Sequence, residues 1–454
     1  MTELSSALAG LTTGPVWTAA GNAVDPAGYD HERSGFNLAL DHRPGLVLAA
    51  ESSADVVAGV RFAAQRGLPV DIQATGHGAH RAMTDGLLIN TRRLTGVAVD
   101  PARRTARVAA GATAADVITA AAHHGLAATV GAAPGVGFVS YSLGGGLGAL
   151  GRKYGWSADH IRSLRVVTAD GRERQITADR DPDLFWGLRG GGGNLAAVTE
   201  IEVDLFAVPA CYGGGLFFAG DRAGEILGRF RECTQLAPDE LSLSVAFVNF
   251  PDLPFLPEPI RGRFCAHLRV AHLGGADSAA ETERLIAPLR EIPAIFDTIR
   301  PFPFTEIGSV HADPAAPLPV HSDSLALRTG DALDGLARLL QPTNPFMLEV
   351  RHLGGALASP PARANAVGHR AAQYNVFTSA YPGSDPAAAA AAQRRVYDPL
   401  ASTGLGGPLR TFLPSQYADA TSCYEPPIAA RLGALKATWD PDNVFAYAPG
   451  VVGP

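Results

Sequence analysis

Lysine is almost missing from this chain. Lys153 and Lys436 are the only two, so arginine carries nearly all the positive charge. No block of like charge occurs, and a formal net charge of -7 over 454 residues gives no electrostatic reason to expect nucleic acid or an anionic membrane as a partner. Cysteine is as scarce. Cys211, Cys233, Cys265 and Cys423 stand far apart without a CxxC, which argues against a zinc site and a secreted disulfide framework and leaves buried free thiols. No run of about 18 apolar residues is present to span a membrane. The start, MTELSSALAGLTTGPVW, has neither a basic head nor an unbroken apolar core, so no signal peptide is read there. GK[ST] and GxSxG are also missing, which removes a P-loop and the nucleophile elbow of common hydrolases. The expectation is a soluble protein of a reducing cytoplasm, a monomer or homodimer.

What the chain has in quantity is glycine, 51 residues, much of it in three dense stretches. The first is DIQATGHGAHR, Asp71 to Arg81, where His77 stands between Gly76 and Gly78 on backbone that can approach a ligand closely. The second runs from Gly131 to Gly151 and the third from Gly190 to Asn194. Each follows an apolar run, and clustered backbone N–H groups in such loops bind the oxygens of a pyrophosphate. A dinucleotide cofactor held by backbone, with His77 at its reactive end, is the reading these residues favour. A histidine in such a loop can equally be satisfied by backbone, and the residues alone leave both uses open.

Two sharper motifs fail. Gly146, Gly148 and Gly151 have dinucleotide-fingerprint spacing, but RKYGWSADH is not the apolar helix that a Rossmann site requires. His77 and His80 lack a third ligand at metal-binding spacing, so no metal is expected.

In chain order, RPGLVLAA reads as a strand, Ser52 or Ser53 caps a helix, Gly67 ends it and VDIQA is the next strand. TARVAA, a helix capped by Thr113 and closed by Gly125, and LAATV as a strand repeat the unit. Together they suggest one α/β domain with a ligand along its loop edge. His123 and His124 fall in a last helical turn and read as solvated. RVVTADGRERQIT is a hairpin on an Asp-Gly turn, and VTEIEVDLF a closing strand. Beyond residue 208, LSLSVAFV, RFCAHLRVAHL and FMLEVRHL read as strands. Helices are expected at 221–235, 276–290, 330–341 and 386–402, with loops at Pro251 to Ile260 and Phe302 to Pro319. RLGALKATWDPDNVF reads as an amphipathic helix and turn.

The pieces RPGLVLAAESSADVVAGVRFAAQRGLPV, ATGHG, SLGGGLGALGRKYGWSADHI, VVTADG, DLFWGLRGGGGNLAAVTEIEV and WDPDNVF resemble the FAD-linked oxidases related to berberine bridge enzyme and vanillyl-alcohol oxidase. Loop spacing is most similar to the bacterial 6-hydroxy-D-nicotine oxidase branch. The resemblance implies an α+β fold. A two-part FAD-binding domain of the vanillyl-alcohol oxidase type would span 1–208, with its core at 43–208. A substrate domain, an antiparallel sheet covered by helices, would span 209–410, and a C-terminal segment, 411–454, would return to the first domain. It also implies FAD bonded covalently through His77. Cysteine is absent from GLAATVGAAPGVG, so a single linkage is expected. Thr75, Gly76, Gly78, Gly131, Gly137, Val139, Gly145 and Gly148 would surround the cofactor, with Asn194 and Val198 near the adenine.

The activity implied is oxidation of an alcohol, amine or activated C–H centre of a small molecule, in the setting of secondary metabolism, with molecular oxygen reduced to hydrogen peroxide. A dehydrogenase with another acceptor, or a cyclase or binding protein that holds flavin without turnover, are the alternatives. Within FMLEVRHL, Leu348 and Val350 would face helices while Glu349 and Arg351 point the other way, at the substrate or as a solvated ion pair. The nicotine oxidase branch has an acid where Arg351 stands, so a carboxylate, phenolate or carbonyl substrate is expected here. The family's Tyr-x-Asn before the last helix is replaced by GPLRTFLPSQY. Tyr141, Tyr417 and Tyr447 are substitutes by position, with Tyr447 the expected catalytic group.

Overall fold

The protein is described from a computed structural model covering residues 2–19, 27–208, 210–414 and 419–451. Among the described residues its architecture is α+β, with three sheets. Strands β1 (Val16–Trp17), β2 (Leu46–Ala49), β3 (Val70–Gln73) and β4 (Leu87–Asn90) form the first, in the order β1-β2-β4-β3. Strands β5 (Val97–Asp100), β6 (Thr105–Ala109), β7 (Ile161–Val167), β8 (Glu173–Thr177) and β9 (Ala197–Asp204) form the second, ordered β5-β6-β9-β7-β8.

The helix signals work as read. Ser52 accepts a hydrogen bond from the Asp55 N–H, and the Asp55 carboxylate accepts one from the Ser52 N–H, a reciprocal cap on Ser53–Ala64. Thr113 and Asp116 do the same for Ala114–Ala122. Gly67 and Gly125 end these segments at φ +63° and +65°, where a side chain would be strained. The Asp-Gly hairpin is β7–β8, with Val167 opposite Glu173 and Gly171 at φ +70°.

The expected repeat does not survive. β4, unread in the sequence, lies parallel to and between β2 and β3, so the first strand–helix–strand unit closes only through it. β6 enters a separate antiparallel sheet, so the region holds two sheets rather than one α/β layer. LAATV is not a strand. It makes one bridge, Ala127 to Phe206, and the Val130 carbonyl packs where a Cβ on Gly148 would stand 1.7 Å away. Close packing against the glycine stretch takes the place of a ladder.

The third sheet is built from β10 (Ala210–Ala219), β11 (Leu241–Asn249), β12 (Phe264–Leu273), β13 (Ala294–Asp297), β14 (Arg300–Pro303), β15 (Ser322–Leu327), β16 (Phe346–His352) and β17 (Tyr374–Ala380). Its order is β13-β10-β12-β11-β16-β17-β15, with β14 also on β10, and every pair is antiparallel. One face, including Leu216, Leu268, Val245, Val350 and Val376, is buried under helices Ala223–Leu236 and Pro386–Leu400. The helix expected at 276–290 is broken into Ala279–Leu285 and Ala287–Arg290, because Pro288 cannot donate the bond a continuous helix needs. At 330–341 only Leu333–Leu336 is α-helical, between 3₁₀ turns. The stretch from Phe302 to Pro319, read as a loop, contains the end of β14 and a 3₁₀ turn, Phe304–Val310, that carries His311.

The last helix, Pro426–Trp439, starts earlier than read, with proline in its first turn where no N–H is required. The tail after it lies against the first sheet. The Val70 N–H donates to the Val444 carbonyl at 2.7 Å, and Val444 and Phe445 share a core with Leu46, Leu48 and Ile89. No described helix is long and apolar enough to cross a membrane.

Candidate functional site at the meeting of the glycine stretches and the large sheet

The loop after β3 is shaped by Gly76. It sits at φ +75°, and a Cβ there would stand 2.5 Å from the Gly35 Cα, so a side chain is excluded by both strain and space. That turn lays the His77 ring on Phe36, with centroids 3.8 Å apart and planes inclined by 14°. His77 Nδ1 is 2.8 Å from Thr75 Oγ1, which also accepts the Gly137 N–H at 3.1 Å. Thr75 therefore ties the first glycine stretch to the second. Burial pulls the imidazole pKa down to about 4, which keeps the ring neutral.

In the second stretch, Val139 is buried on the short helix Phe138–Leu143. Gly145 follows at φ +106°. The Tyr141 ring packs where Cβ atoms on Gly131 and Gly146 would approach to 3.0 and 2.7 Å. Its hydroxyl is buried with no hydrogen-bond partner among the described residues. Burial raises that phenol well above its ordinary pKa, and Arg351 pulls the other way. Asn194 is buried beside Gly450, and its carbonyl accepts from Lys436 at 3.0 Å. Val198 lies on β9 opposite Val166, in the core.

Across from the second stretch stands the face of the large sheet turned away from helices Ala223–Leu236 and Pro386–Leu400. Strand register puts Arg269, Ser244, Arg351 and Asn375 in one cross-strand row. His267, Ala246, Glu349 and Phe377 form the next row, and residues directly opposite share a face. Glu349 and Arg351 thus point away from the helices, as their alternation predicts. A pocket opens between this face and the glycine stretch, lined by Gly131, Gly148, Ser244, Arg269, His311 and Arg351 among others.

Glu349 is locked. Its Oε2 accepts from Arg351 Nη2 at 2.9 Å, while Oε1, without a hydrogen bond among the described residues, is ion-paired at 3.0 Å to Arg269 Nη1 and 3.4 Å to His311 Nε2. Burial opposes ionisation, yet the two guanidiniums and His311 outweigh it and hold the carboxyl well below its ordinary range. A carboxylate so paired is poorly suited to accept a proton, so pairing with the two arginines is the role the geometry favours for Glu349. Tyr447 is placed away from this pocket. Its hydroxyl donates to Asp85 Oδ1 at 2.5 Å and accepts the Thr84 N–H at 3.2 Å, and Arg81 lies over its ring. Tyr417 falls outside the described residues. Arg269, Ser244 and His311 were missed in the sequence. The polar residues of LSLS and HLR alternate with apolar ones just as Glu349 and Arg351 do, and that period was the available signal.

Comparison with known proteins decides the class. The model of an FAD binding domain family matches residues 44–177. The (R)-6-hydroxynicotine oxidase of Paenarthrobacter nicotinovorans is 27% identical over 442 residues, spanning 93% of this chain and 94% of that protein. The chain is an FAD-linked oxidoreductase, similar to oxidases of the berberine bridge enzyme and vanillyl-alcohol oxidase type. The crystal structure of 6-hydroxy-D-nicotine oxidase from Arthrobacter nicotinovorans superposes with a TM-score of 0.82 at 26% identity, covering 97% of this chain and 98% of that one. A BBE-like 1 protein of Physcomitrella patens gives the same TM-score at 19% identity, covering 97% of each chain, a likeness of fold.

The residues of this oxidoreductase fit the cofactor. A neutral, half-buried imidazole stands where two glycine stretches meet. Cβ atoms on Gly78 or Gly193 would meet nothing within 4 Å, so the loops are open beside their backbone. Tyr141 Oη, Ser244 Oγ and Arg351 Nε are buried polar atoms without partners among the described residues, in or beside the pocket. The four cysteines are buried and free.

Proposed function

We propose that this chain is an FAD-dependent oxidase with its flavin bonded to His77. It takes hydride from an alcohol, amine or activated C–H centre of a small molecule, with molecular oxygen as final acceptor and hydrogen peroxide as product. The observation that carries this reading is the environment of His77, a neutral imidazole pinned by Thr75 and stacked on Phe36 at the junction of the glycine stretches. A neutral ring nitrogen is a nucleophile, and a ring held in one orientation loses little freedom when it forms a bond.

FAD, when bound, supplies the two-electron acceptor. The chain does the rest. Thr75, Gly76, Gly78, Gly131, Gly137, Val139, Gly145 and Gly148 would hold the cofactor, with Asn194 and Val198 toward its adenine. Arg351 orients the substrate from the sheet above, and the Tyr141 hydroxyl is placed to donate a hydrogen bond inside the pocket. A cytoplasmic setting fits the buried free thiols.

The test is a visible spectrum of the purified protein before and after acid precipitation, followed by turnover with and without oxygen. Yellow colour in the pellet, mapped to His77, together with peroxide formation supports the oxidase. Colour in the supernatant removes the covalent bond. Turnover that needs a dye instead of oxygen makes the enzyme a dehydrogenase.

A further inference from the structure

The polar face of the large sheet carries more positive charge than it neutralises. Arg269 and Arg351 are each close to Glu349, and the three side chains are only 5%, 14% and 4% exposed. His267 and His311 face the same cluster, and burial lowers both, so neither adds charge near neutral pH. Tyr141, beside Arg351, is kept protonated by its burial. A third cation lines the far end of the pocket, but Arg152 is engaged by the backbone carbonyls of Leu241, Leu353, Ala237 and Pro238. Two guanidiniums against one carboxylate leave a single buried positive charge at the mouth of Ser244. A buried charge without a partner is costly, and the usual resolution is a counter-ion.

The donors point to the same ligand. Arg351 Nε and Ser244 Oγ have no hydrogen-bond partner among the described residues. They belong to directly opposed residues on neighbouring strands, with Arg269 on the other side of Ser244. Apolar groups from Leu147, Ile307, Val310 and Leu357 also line the pocket, with Ser242 and His352 as the remaining polar side chains.

We propose that Arg269 and Arg351, with Ser244 between them, form a clamp for one negatively charged oxygen group on an otherwise apolar substrate, a carboxylate or phenolate. Glu349 is the positioning residue of this clamp. It draws the two guanidiniums together and reduces their joint charge from two to one, which matches a monoanion rather than a dianion. The clamp rests on the flavoenzyme reading above, and it adds Arg269 and a charge rule to it.

The experiment is a titration of the flavin-loaded enzyme with benzoate, benzamide, benzylamine and phthalate, read by the change in flavin absorbance. Benzoate should bind at least about tenfold more tightly than benzylamine and than phthalate, the scale of one charge-assisted contact. Arg269→Met and Arg351→Met should each weaken benzoate by about tenfold or more and leave benzamide within about threefold, and Arg269→Lys should recover part of the loss. Glu349→Gln should shift the ratio of phthalate to benzoate affinity by about tenfold toward phthalate. A purely structural role for Glu349 would leave that ratio alone. Benzylamine binding as well as benzoate, or a yellow Arg269→Met enzyme with unchanged benzoate affinity, overturns the clamp. If the methionine variants fail to hold flavin, the ranking of probes on the wild-type enzyme decides by itself. A protein that never takes up FAD fails before any titration and sinks the flavoenzyme reading, whereas a yellow protein that prefers benzylamine sinks only the clamp.

Discussion

His77 Nδ1 and Thr75 Oγ1 stand 2.8 Å apart, and the same hydroxyl oxygen receives the Gly137 N–H. The second lone pair of that oxygen can accept an Nδ1–H, the tautomer that leaves the Nε2 lone pair free to attack. One side chain therefore fixes both the orientation of the imidazole and its distance from the second glycine stretch. Removing the hydroxyl should cost about 1 kcal/mol or more of that alignment. Thr75→Ala is expected to slow covalent flavin attachment by about tenfold, with Thr75→Ser near wild type. The fraction of yellow colour retained in an acid pellet, sampled after adding FAD to apoprotein, measures it. Equal rates for the two variants would assign Thr75 to packing alone.

Attachment should also have a distinctive pH profile. Burial depresses the His77 pKa from 6.5 to about 4, so the neutral, nucleophilic ring predominates at every pH above that value. The attachment rate is expected to be flat from about pH 5 to 8 and to fall only as pH drops through about 4. The sign for stability is consistent. The unfolded chain protonates this histidine below its ordinary pKa while the folded one resists, so the residue destabilises the fold as pH falls from 6.5 toward 4. A rate that instead climbs between pH 6 and 7 would mean a solvated ring.

The glycine stretches make a steric prediction. Gly76 has positive φ and a Cβ position 2.5 Å from Gly35, whereas a Cβ on Gly78 would meet nothing within 4 Å. Gly76→Ala is expected to lose about 2 kcal/mol or more through left-handed strain and overpacking. Gly78→Ala should stay within about 0.5 kcal/mol. Thermal unfolding of the two variants, with flavin content recorded, separates a backbone requirement at one position from simple glycine richness.

Local signals were readable because they are written in adjacent residues. The Ser52–Asp55 and Thr113–Asp116 caps, the Gly67 and Gly125 stops and the hairpin at Gly171 each depend on a few neighbours. What failed depends on partners far along the chain. β4 was unread, and LAATV was read as a strand, because whether an apolar stretch joins a ladder is settled by what lies beside it. For Val130 that neighbour is Gly148, which packs against its carbonyl. The site divides the same way. His77 is announced by the glycines that flank it. Arg269 reaches Glu349 only after β11 inserts between β12 and β16, a sheet order that composition does not encode. His311 was hidden by a stretch that read as loop and forms a turn above the pocket.

Two tyrosines remain to be told apart by experiment. Tyr447 was the expected catalytic group, but its hydroxyl is already committed to Asp85 and Thr84, and its ring is covered by Arg81. Tyr141 has the opposite character, with a buried hydroxyl that no described residue satisfies, set beside the pocket near Arg351. Burial keeps its proton on, so its natural task is to donate a hydrogen bond to an oxygen that gains charge during oxidation, where such a donor can be worth a hundredfold in rate. Tyr141→Phe is therefore expected to lower kcat by about tenfold to a hundredfold, with flavin content and benzoate affinity near wild type. Tyr447→Phe should keep kcat within about threefold and lose about 1 kcal/mol of stability through the Asp85 contact. Steady-state kinetics beside a thermal melt of each variant measure both. Loss of turnover in Tyr447→Phe with Tyr141→Phe intact would move the proton chemistry to the C-terminal tail, and would require Asp85 to release that hydroxyl when substrate binds.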